Sequence, residues 1–160
     1  MEFPARANPR PPNWELAATA NGQFAGTNLD AYEKMSLGGP SAVRAYPSGE
    51  ALGDEGWLAS IEIRRAFSAE LQASAFVDAG HISQLHSTFP GFNAGNPNRP
   101  NSYTLYGAGI SLQYGRAGDW FIKGMVATRI GNNPGRDIAG KDSDGGNSNL
   151  RGWLQLAKFF

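Results

Sequence analysis

Residues 57–80 read W-L-A-S-I-E-I-R-R-A-F-S-A-E-L-Q-A-S-A-F-V-D-A-G, and over both halves apolar and polar residues largely alternate. In the first half Ile61 and Ile63 share one face, and in the second half Leu71 and Val77 do the same. Such a period of two predicts β-strands, because successive side chains of a strand point to opposite faces. The serine and alanine between the halves suit a tight turn, so the stretch predicts a β-hairpin.

The alternation continues on both sides of this hairpin and predicts roughly six strands of about ten residues each. The other four candidate strands lie near residues 14–27, 105–114, 120–130 and 151–160. Long polar loops, which alternate with short turns, cover residues 28–55, 85–102 and 131–149. Strands of this length with alternately short and long connections are typical of an antiparallel transmembrane β-barrel.

Composition excludes several classes of function. The 160-residue chain carries 14 Lys and Arg against 14 Asp and Glu, so its formal net charge is zero and no nucleic-acid partner is predicted. It has no cysteine, which excludes disulfides, zinc-thiolate sites and cysteine catalysis. No run approaches eighteen apolar residues, which excludes a transmembrane helix but not transmembrane strands.

The chain divides into a short lead-in and one longer unit. Residues 1–12 contain four prolines and no periodic pattern, which predicts a disordered lead-in. No secretory signal is expected there, because the start has neither a basic segment nor an apolar one. Residues 13–160 carry all the predicted strands and are expected to form one domain or a piece of a larger one.

Two short motifs carry a resemblance to a known family. V-R-A-Y-P at residues 43–47 looks like a V-R-G-Y or V-R-G-F loop motif, and F-V-D-A-G at residues 76–80 looks like an F-x-D-x-G strand motif. In their order and spacing these motifs resemble the haemolysin secretion/activation family, the outer-membrane transporters of two-partner secretion. The resemblance continues from about residue 13 to the C terminus. Ala45 departs from it, because the wider superfamily often has glycine there.

The resemblance implies a fold and a function. Family members are sixteen-stranded barrels preceded by a signal peptide, a plug helix and two periplasmic POTRA domains. The chain is therefore expected to be the C-terminal part of such a barrel, with residues 28–55 as the large extracellular loop that folds into the pore. The implied function is export of a secreted haemolysin- or adhesin-type passenger protein across the outer membrane of a Gram-negative bacterium, without covalent chemistry.

Further partners follow from the same resemblance. They are outer-membrane lipid, the barrel-assembly machinery, and the missing N-terminal strands and POTRA domains. Six strands do not close a wide barrel, and unpaired edges are costly in lipid. The isolated chain is therefore expected to aggregate or to need the missing strands.

The pore-loop motif and the lumen-strand motif supply the main candidate site. Its members are Val43, Arg44, Tyr46 and Pro47 in the loop and Phe76, Asp78 and Gly80 in the strand. Arg44 and Asp78 can form a charge-assisted pair that holds the loop in the pore, because Asp78 falls on the polar face of its strand. On the alternative interpretation Arg44 is solvated and Asp78 begins a turn. Gly80 is expected to leave space for Tyr46 or for the loop backbone.

Other residues have weaker predicted roles. Glu62 and Arg64 share the polar face and either add to the pair or are ordinary solvated lumen residues. Leu154, Leu156 and Phe160 resemble the C-terminal signal for barrel assembly. Trp57, Tyr106, Tyr114 and Trp120 are candidates for an aromatic girdle at the membrane interfaces, although a soluble core would use the same residue types.

The sequence contains no convincing catalytic, metal or cofactor site. His81 and His86 are the only histidines, and strand geometry puts His81 on the face opposite Asp78. Residues 142–145, D-S-D-G, begin like a calcium loop, but the ligand pattern is incomplete, so they predict a turn. No enzyme activity and no cofactor are expected.

Two alternatives stay open from the sequence. One is a soluble β-sandwich or small barrel that binds a carbohydrate or another protein. In that case the faces bearing Ile61, Val77 and Leu112 would lie in a dry core. The other is an inactive remnant of a transporter, which differs from the first hypothesis only in what precedes the chain.

Overall fold

The computed structural model describes residues 14–160, so the predicted lead-in of residues 1–12 lies outside the described residues. Within this range the protein is all-β and contains no helix, which confirms the predicted fold class. The strands are β1 (Trp14–Gln23), β2 (Met35–Ser36), β3 (Leu52–Gly53), β4 (Glu55–Ala66), β5 (Leu71–Ser83), β6 (Ser102–Arg116), β7 (Trp120–Ile130) and β8 (Leu150–Lys158). Residues 14–160 form no helix long and apolar enough to cross a membrane.

Six strands form one antiparallel sheet in the order β1-β4-β5-β6-β7-β8. The short strands β2 and β3 pair with each other inside the connection between β1 and β4. Because β1 and β8 are the two edges of this sheet, the described residues form an open sheet, consistent with part of a β-barrel.

Strand boundaries differ from the prediction at both ends of the sheet. Strand β1 ends at Gln23 rather than near residue 27, and β8 ends at Lys158, before the two terminal phenylalanines. In both places apolar residues continue beyond the last backbone pair with the neighbouring strand. Apolar pattern alone does not show where that pairing stops.

The connections differ strongly in length at the two ends of the sheet. Residues 24–54, 84–101 and 131–149 form the three long connections, whereas residues 67–70 and 117–119 form short turns. Since each strand runs antiparallel to its neighbour, all three long connections lie at the same end. This arrangement places loop 28–55 beside the other two long connections.

The outward face of the sheet is apolar and exposed. Ile61, Val77 and Leu112 are 58%, 53% and 54% exposed, so they do not lie in a dry core. This contradicts what the soluble-module alternative predicts for these positions. An exposed apolar band along several strands is the pattern of a sheet whose outer face meets lipid.

The buried core lies on the other face, between the sheet and loop 28–55. Its loop members are Leu37, Val43, Ala45, Tyr46 and Ala51, and its strand members are Phe76, Ile82, Tyr103, Leu105 and Ala127. The inner face is therefore covered by a loop of its own chain, and the loop depends on the sheet for its burial.

Candidate functional site

The tip of loop 28–55 is compact and packed against the sheet. The Val43 amide donates a hydrogen bond to the Leu37 carbonyl at 2.8 Å, and the Gly39 amide donates to the Tyr46 carbonyl at 3.1 Å. Leu37, Val43 and Tyr46 have no exposed surface. Because these side chains are covered by strands as well as by the loop, the sheet fixes the position of the tip.

Arg44 at the loop tip and Asp78 on β5 form a bidentate ion pair. The Nε of Arg44 donates to Oδ2 of Asp78 at 2.9 Å, and its Nη2 donates to Oδ1 at 2.7 Å. The Arg44 amide also donates to Oδ2 at 3.1 Å. The side chains are 8% and 1% exposed, so Arg44 is not a solvated loop residue. Burial and the two parallel bonds make this pair strong and directional.

Glu62 on β4 is a second carboxylate for the same arginine. Arg44 Nη1 donates to Glu62 Oε2 at 2.8 Å, and Arg64 Nε donates to Glu62 Oε1 at 2.8 Å. The hydroxyl of Ser60 accepts a hydrogen bond from Arg44 Nη2 at 2.9 Å and donates one to Asp78 Oδ1 at 2.8 Å. The two arginines and two carboxylates balance, so the cluster has no net charge. Ser60 was not predicted as a site residue, although it shares the polar face of Glu62.

Phe76 of the strand motif contacts Arg44, and Pro47 of the loop motif is buried at the loop tip. The Arg44 guanidinium carbon lies 3.3 Å from the centroid of the Phe76 ring, a cation-π contact. Burial alone would lower the pKa of Arg44, but hydrogen bonds to Asp78 and Glu62 raise it above its ordinary value. Pro47 is buried, and its carbonyl accepts from the Glu50 amide at 3.2 Å.

Gly80 on β5 leaves space for side chains of the loop tip and of β4. A Cβ at Gly80 would lie 2.9 Å from side-chain atoms of Leu37 and Leu58, and 3.1 Å from Val43. These three nearest atoms belong to apolar side chains, two of them from the loop tip, so the tip approaches β5 closely at Gly80. The expected approach of Tyr46 or of the loop backbone to this glycine stays a prediction.

The loop tip is also held on the same inner face by residues of β7 and β8. Trp153 on β8 donates from Nε1 to the Arg44 carbonyl at 2.8 Å. The Nε of Arg129 on β7 lies 3.5 Å from the Ala45 carbonyl, and its guanidinium carbon lies 4.8 Å from the centroid of the Tyr46 ring. The tip therefore spans the inner face from β5 to β8.

The end of the loop is tied to the last long connection. Both carboxylate oxygens of Glu50, which is 2% exposed, are bonded to residues of the 131–149 connection. Asn133 Nδ2 donates to Oε1 at 2.8 Å, and the Ser143 amide donates to Oε2 at 2.7 Å. Sequence analysis missed these contacts because their partners are 83 and 93 residues from Glu50 along the chain.

A separate buried ion pair fixes the base of the loop. Lys34 Nζ lies 2.5 Å from Oδ1 of Asp54 and donates to the Gln84 carbonyl at 2.8 Å. The amide of His86 donates to Oδ2 of Asp54 at 2.8 Å. Burial alone would raise the pKa of Asp54, but hydrogen bonds from Lys34 and the His86 amide hold it below its ordinary value.

The proposed assembly signal lies at the open edge of the sheet. Leu154 and Leu156 on β8 are 75% and 77% exposed, and Phe160 lies beyond the strand, also exposed. The four girdle candidates lie on the outward face near the two ends of the strands. Tyr114 and Trp120 pack edge to face at one end, with ring centroids 5.6 Å apart.

Neither histidine is placed for catalysis with the residues of the motif cluster. The ring of His81 shares a hydrogen bond with Thr104 at 3.0 Å, and the ring of His86 shares one with Glu55 at 2.7 Å. Over residues 14–160 the structure assembles no group of three or more side chains placed to hold a metal ion. The motif cluster binds and positions a loop rather than a reacting group.

An antiparallel sheet with an apolar outer face and a loop ion-paired to its inner face is the arrangement expected of part of a transmembrane β-barrel. The chain belongs to the haemolysin secretion/activation family, because the model described as haemolysin secretion/activation protein ShlB/FhaC/HecB matches residues 5–97. Members of this family are transporters of the Gram-negative outer membrane and not enzymes, and they act in two-partner secretion.

Individual relatives agree with this assignment. The heme/hemopexin transporter protein HuxB of Haemophilus influenzae strain 86-028NP is 34% identical over 117 residues, which are 71% of this chain and 20% of the relative. The same protein from the Rd strain is 35% identical over 117 residues. The chain thus spans about a fifth of the length of the curated relatives it matches. No solved structure matches it.

Proposed function

We propose that this chain forms the C-terminal part of a barrel that exports a haemolysin- or adhesin-type partner protein in two-partner secretion. In this proposal residues 13–160 form barrel wall in the outer membrane, and loop 28–55 folds into the pore from the extracellular side. The ion pair of Arg44 with Asp78 is the observation that carries it, since it holds a loop tip on the face opposite the apolar band.

The open sheet edges require further strands. Strands β1 and β8 have no second neighbour within residues 14–160, and unpaired backbone groups are costly in lipid. We therefore assign the missing N-terminal strands and the POTRA domains to the rest of the transporter. Leu154, Leu156 and Phe160 are exposed at the last strand, where the barrel-assembly machinery could bind them.

Export by a chimera tests the proposal. This chain would replace the matching region of the Haemophilus influenzae transporter, which would be co-expressed with its secreted partner. The chimera should export the partner, and Arg44→Ala should reduce export at least tenfold while heat-modifiable barrel still assembles. Arg116→Ala is the matched control, because Arg116 is an exposed arginine at the end of β6.

Two outcomes would contradict the proposal. If the chimera assembles in the outer membrane but exports nothing, the chain does not supply a working pore wall. If Arg44→Ala assembles and exports normally, loop 28–55 does not have the proposed role in the pore.

A further inference from the structure

Asp142 is the centre of a buried cluster that the two sequence motifs do not include. Its side chain is 0% exposed and lies in the connection between β7 and β8. It is bonded to Arg129 and accepts hydrogen bonds from Arg136 Nε at 3.1 Å, Asn133 Nδ2 at 3.1 Å and Arg151 Nη2 at 3.2 Å. Because three arginines surround this carboxylate, it offers no site for a further cation. Its partners are the four side chains just named.

Two of these partners contact the loop directly. Arg129 lies against the Ala45 carbonyl and the Tyr46 ring, and Asn133 donates to Glu50. Asp142 itself makes no hydrogen bond to loop 28–55 in the described residues. It fixes the orientation of the two groups that do. Arg129 uses Nη2 for Asp142 and Nε for the Ala45 carbonyl, and Asn133 Nδ2 donates to both Asp142 and Glu50.

The surrounding charges favour the ionised form of Asp142. Burial alone would raise its pKa, but hydrogen bonds from Arg129, Arg136 and Asn133 hold it below its ordinary value. Neutralising this carboxylate would remove the counter-charge of the buried Arg129 guanidinium, which is 1% exposed. Arg129 and Asn133 would then lose the partner that keeps them turned toward the loop.

We propose that the 131–149 connection is a clamp on loop 28–55, and that Asp142 is its positioning residue. The clamp holds the loop from the β7–β8 side, whereas the Arg44–Asp78 pair holds it from the β4–β5 side. Where the loop occupies the pore, as the proposed function states, movement of the loop out of the pore requires both attachments to open. The inference rests on the proposed function only for this last step.

Hydrogen exchange on the purified chimera tests the clamp separately from export. Asp142→Asn should speed exchange of the Val43 and Tyr46 amides at least tenfold and leave the central amides of β5 and β6 unchanged. Asp144→Asn is the matched control. Asp144 belongs to the same connection and pairs with Arg151, but it bonds to neither Arg129 nor Asn133 in the described residues. It should leave loop exchange at the wild-type rate.

A purely structural role would give a different pattern. If Asp142→Asn speeds exchange equally in the loop and the sheet, or leaves the loop unchanged, the clamp is contradicted. If Asp142→Asn does not assemble, Arg129→Lys makes the same comparison, because lysine keeps the charge but does not bridge Asp142 and the Ala45 carbonyl. It should also loosen the loop alone, and unchanged loop exchange in this variant would equally overturn the proposal.

The export assay separates this inference from the proposed function. A chimera that exports nothing, but whose loop loosens in Asp142→Asn, retains the clamp and contradicts the proposed function. If the chimera exports its partner and Asp142→Asn leaves loop exchange unchanged, the proposed function is retained and the clamp is contradicted.

Discussion

The methyl group of Ala45 at the loop tip occupies the space left by Gly107 on β6. A Cβ built at Gly107 would lie 2.7 Å from the Cβ of Ala45 and 3.5 Å from the Ala45 amide nitrogen. The Cβ of Ala45 is the nearest atom, so the absence of a side chain on β6 permits a methyl group in the loop. The alanine that departs from the family motif thus has a matching glycine on the sheet.

Gly107→Ala should therefore displace the loop tip. Overpacking of a buried contact typically costs about 1–3 kcal/mol, and here both methyl groups are attached to backbone that is held by hydrogen bonds. We expect the free energy of unfolding of the chimera in detergent to fall by about this amount. Urea unfolding followed by tryptophan fluorescence measures it.

A second substitution and a control make this prediction specific. Ala45→Gly combined with Gly107→Ala should restore most of the lost stability, because one methyl group again occupies the space. Gly124→Ala on β7 should have little effect, since a Cβ there would meet nothing within 4 Å. A double variant no more stable than Gly107→Ala alone would show that the cost lies elsewhere.

Asp78→Asn should destabilise the protein more than loss of a surface charge. It removes the carboxylate that accepts two bonds from the guanidinium of Arg44, and breaking a buried pair costs about 3–5 kcal/mol. We expect a loss near the lower end of this range, because Glu62 still accepts from Arg44. Urea unfolding of the chimera measures the change.

Asp119→Asn is the comparison for this variant. Asp119 pairs with Lys158 at the surface, and such pairs contribute no more than about 1 kcal/mol. Equal losses for Asp78→Asn and Asp119→Asn would mean that the buried pair adds no stability beyond an exposed one.

Much of this fold could be predicted because its pattern is local. The period of two along β4 and β5 assigns Ile61 and Val77 outward and Glu62 and Asp78 inward, and the structure has the same assignment. Where pairing with a neighbour decides a boundary, as at the end of β1 at Gln23, local pattern was insufficient.

The candidate site also has one part that could be predicted from the sequence and one part that could not. Arg44 and Asp78 lie in two motifs whose order could be read along the chain. Asp142 lies in a segment that predicts only a turn, and that turn exists, with the Gly145 amide donating to the Asp142 carbonyl at 2.9 Å. Its side chain is nevertheless buried against Arg129, because the turn folds over the sheet. No pattern in the sequence indicates that long-range contact.

Acid should weaken the base of the loop below about pH 4, near the ordinary Asp pKa. The pKa of Asp54 is lower in the folded protein than in the unfolded chain. The pair with Lys34 therefore contributes fully to the free energy of unfolding at a pH above the pKa of the unfolded chain. The contribution is lost as the pH falls through the lowered pKa. Stability of Asp54→Asn should therefore fall less steeply than wild type below about pH 4.

Thermal unfolding of the chimera between pH 3 and pH 7 measures this slope. Asp30→Asn is the control, because Asp30 is exposed and its side chain accepts no hydrogen bond in the described residues. In the 131–149 connection, hydrogen bonds from arginines also hold the pKa of Asp142 and of Asp144 below its ordinary value, so every variant keeps some acid dependence. Identical slopes for wild type and Asp54→Asn would exclude a stabilising role of this pair.

Ile110→Lys distinguishes a lipid-facing sheet from one that faces water. Ile110 is 65% exposed in the middle of β6, where it lies between Ala75 and Val126 on the neighbouring strands. A lysine at the centre of a lipid-facing strand costs about 2–4 kcal/mol, whereas the same change on a water-exposed strand costs little. Urea unfolding of the chimera in phosphatidylcholine vesicles should show the larger loss. Gln113→Lys, on the inner face of the same strand, should cost less than Ile110→Lys. If both lysines are tolerated equally in vesicles, the apolar face of β6 does not contact the hydrocarbon of the bilayer.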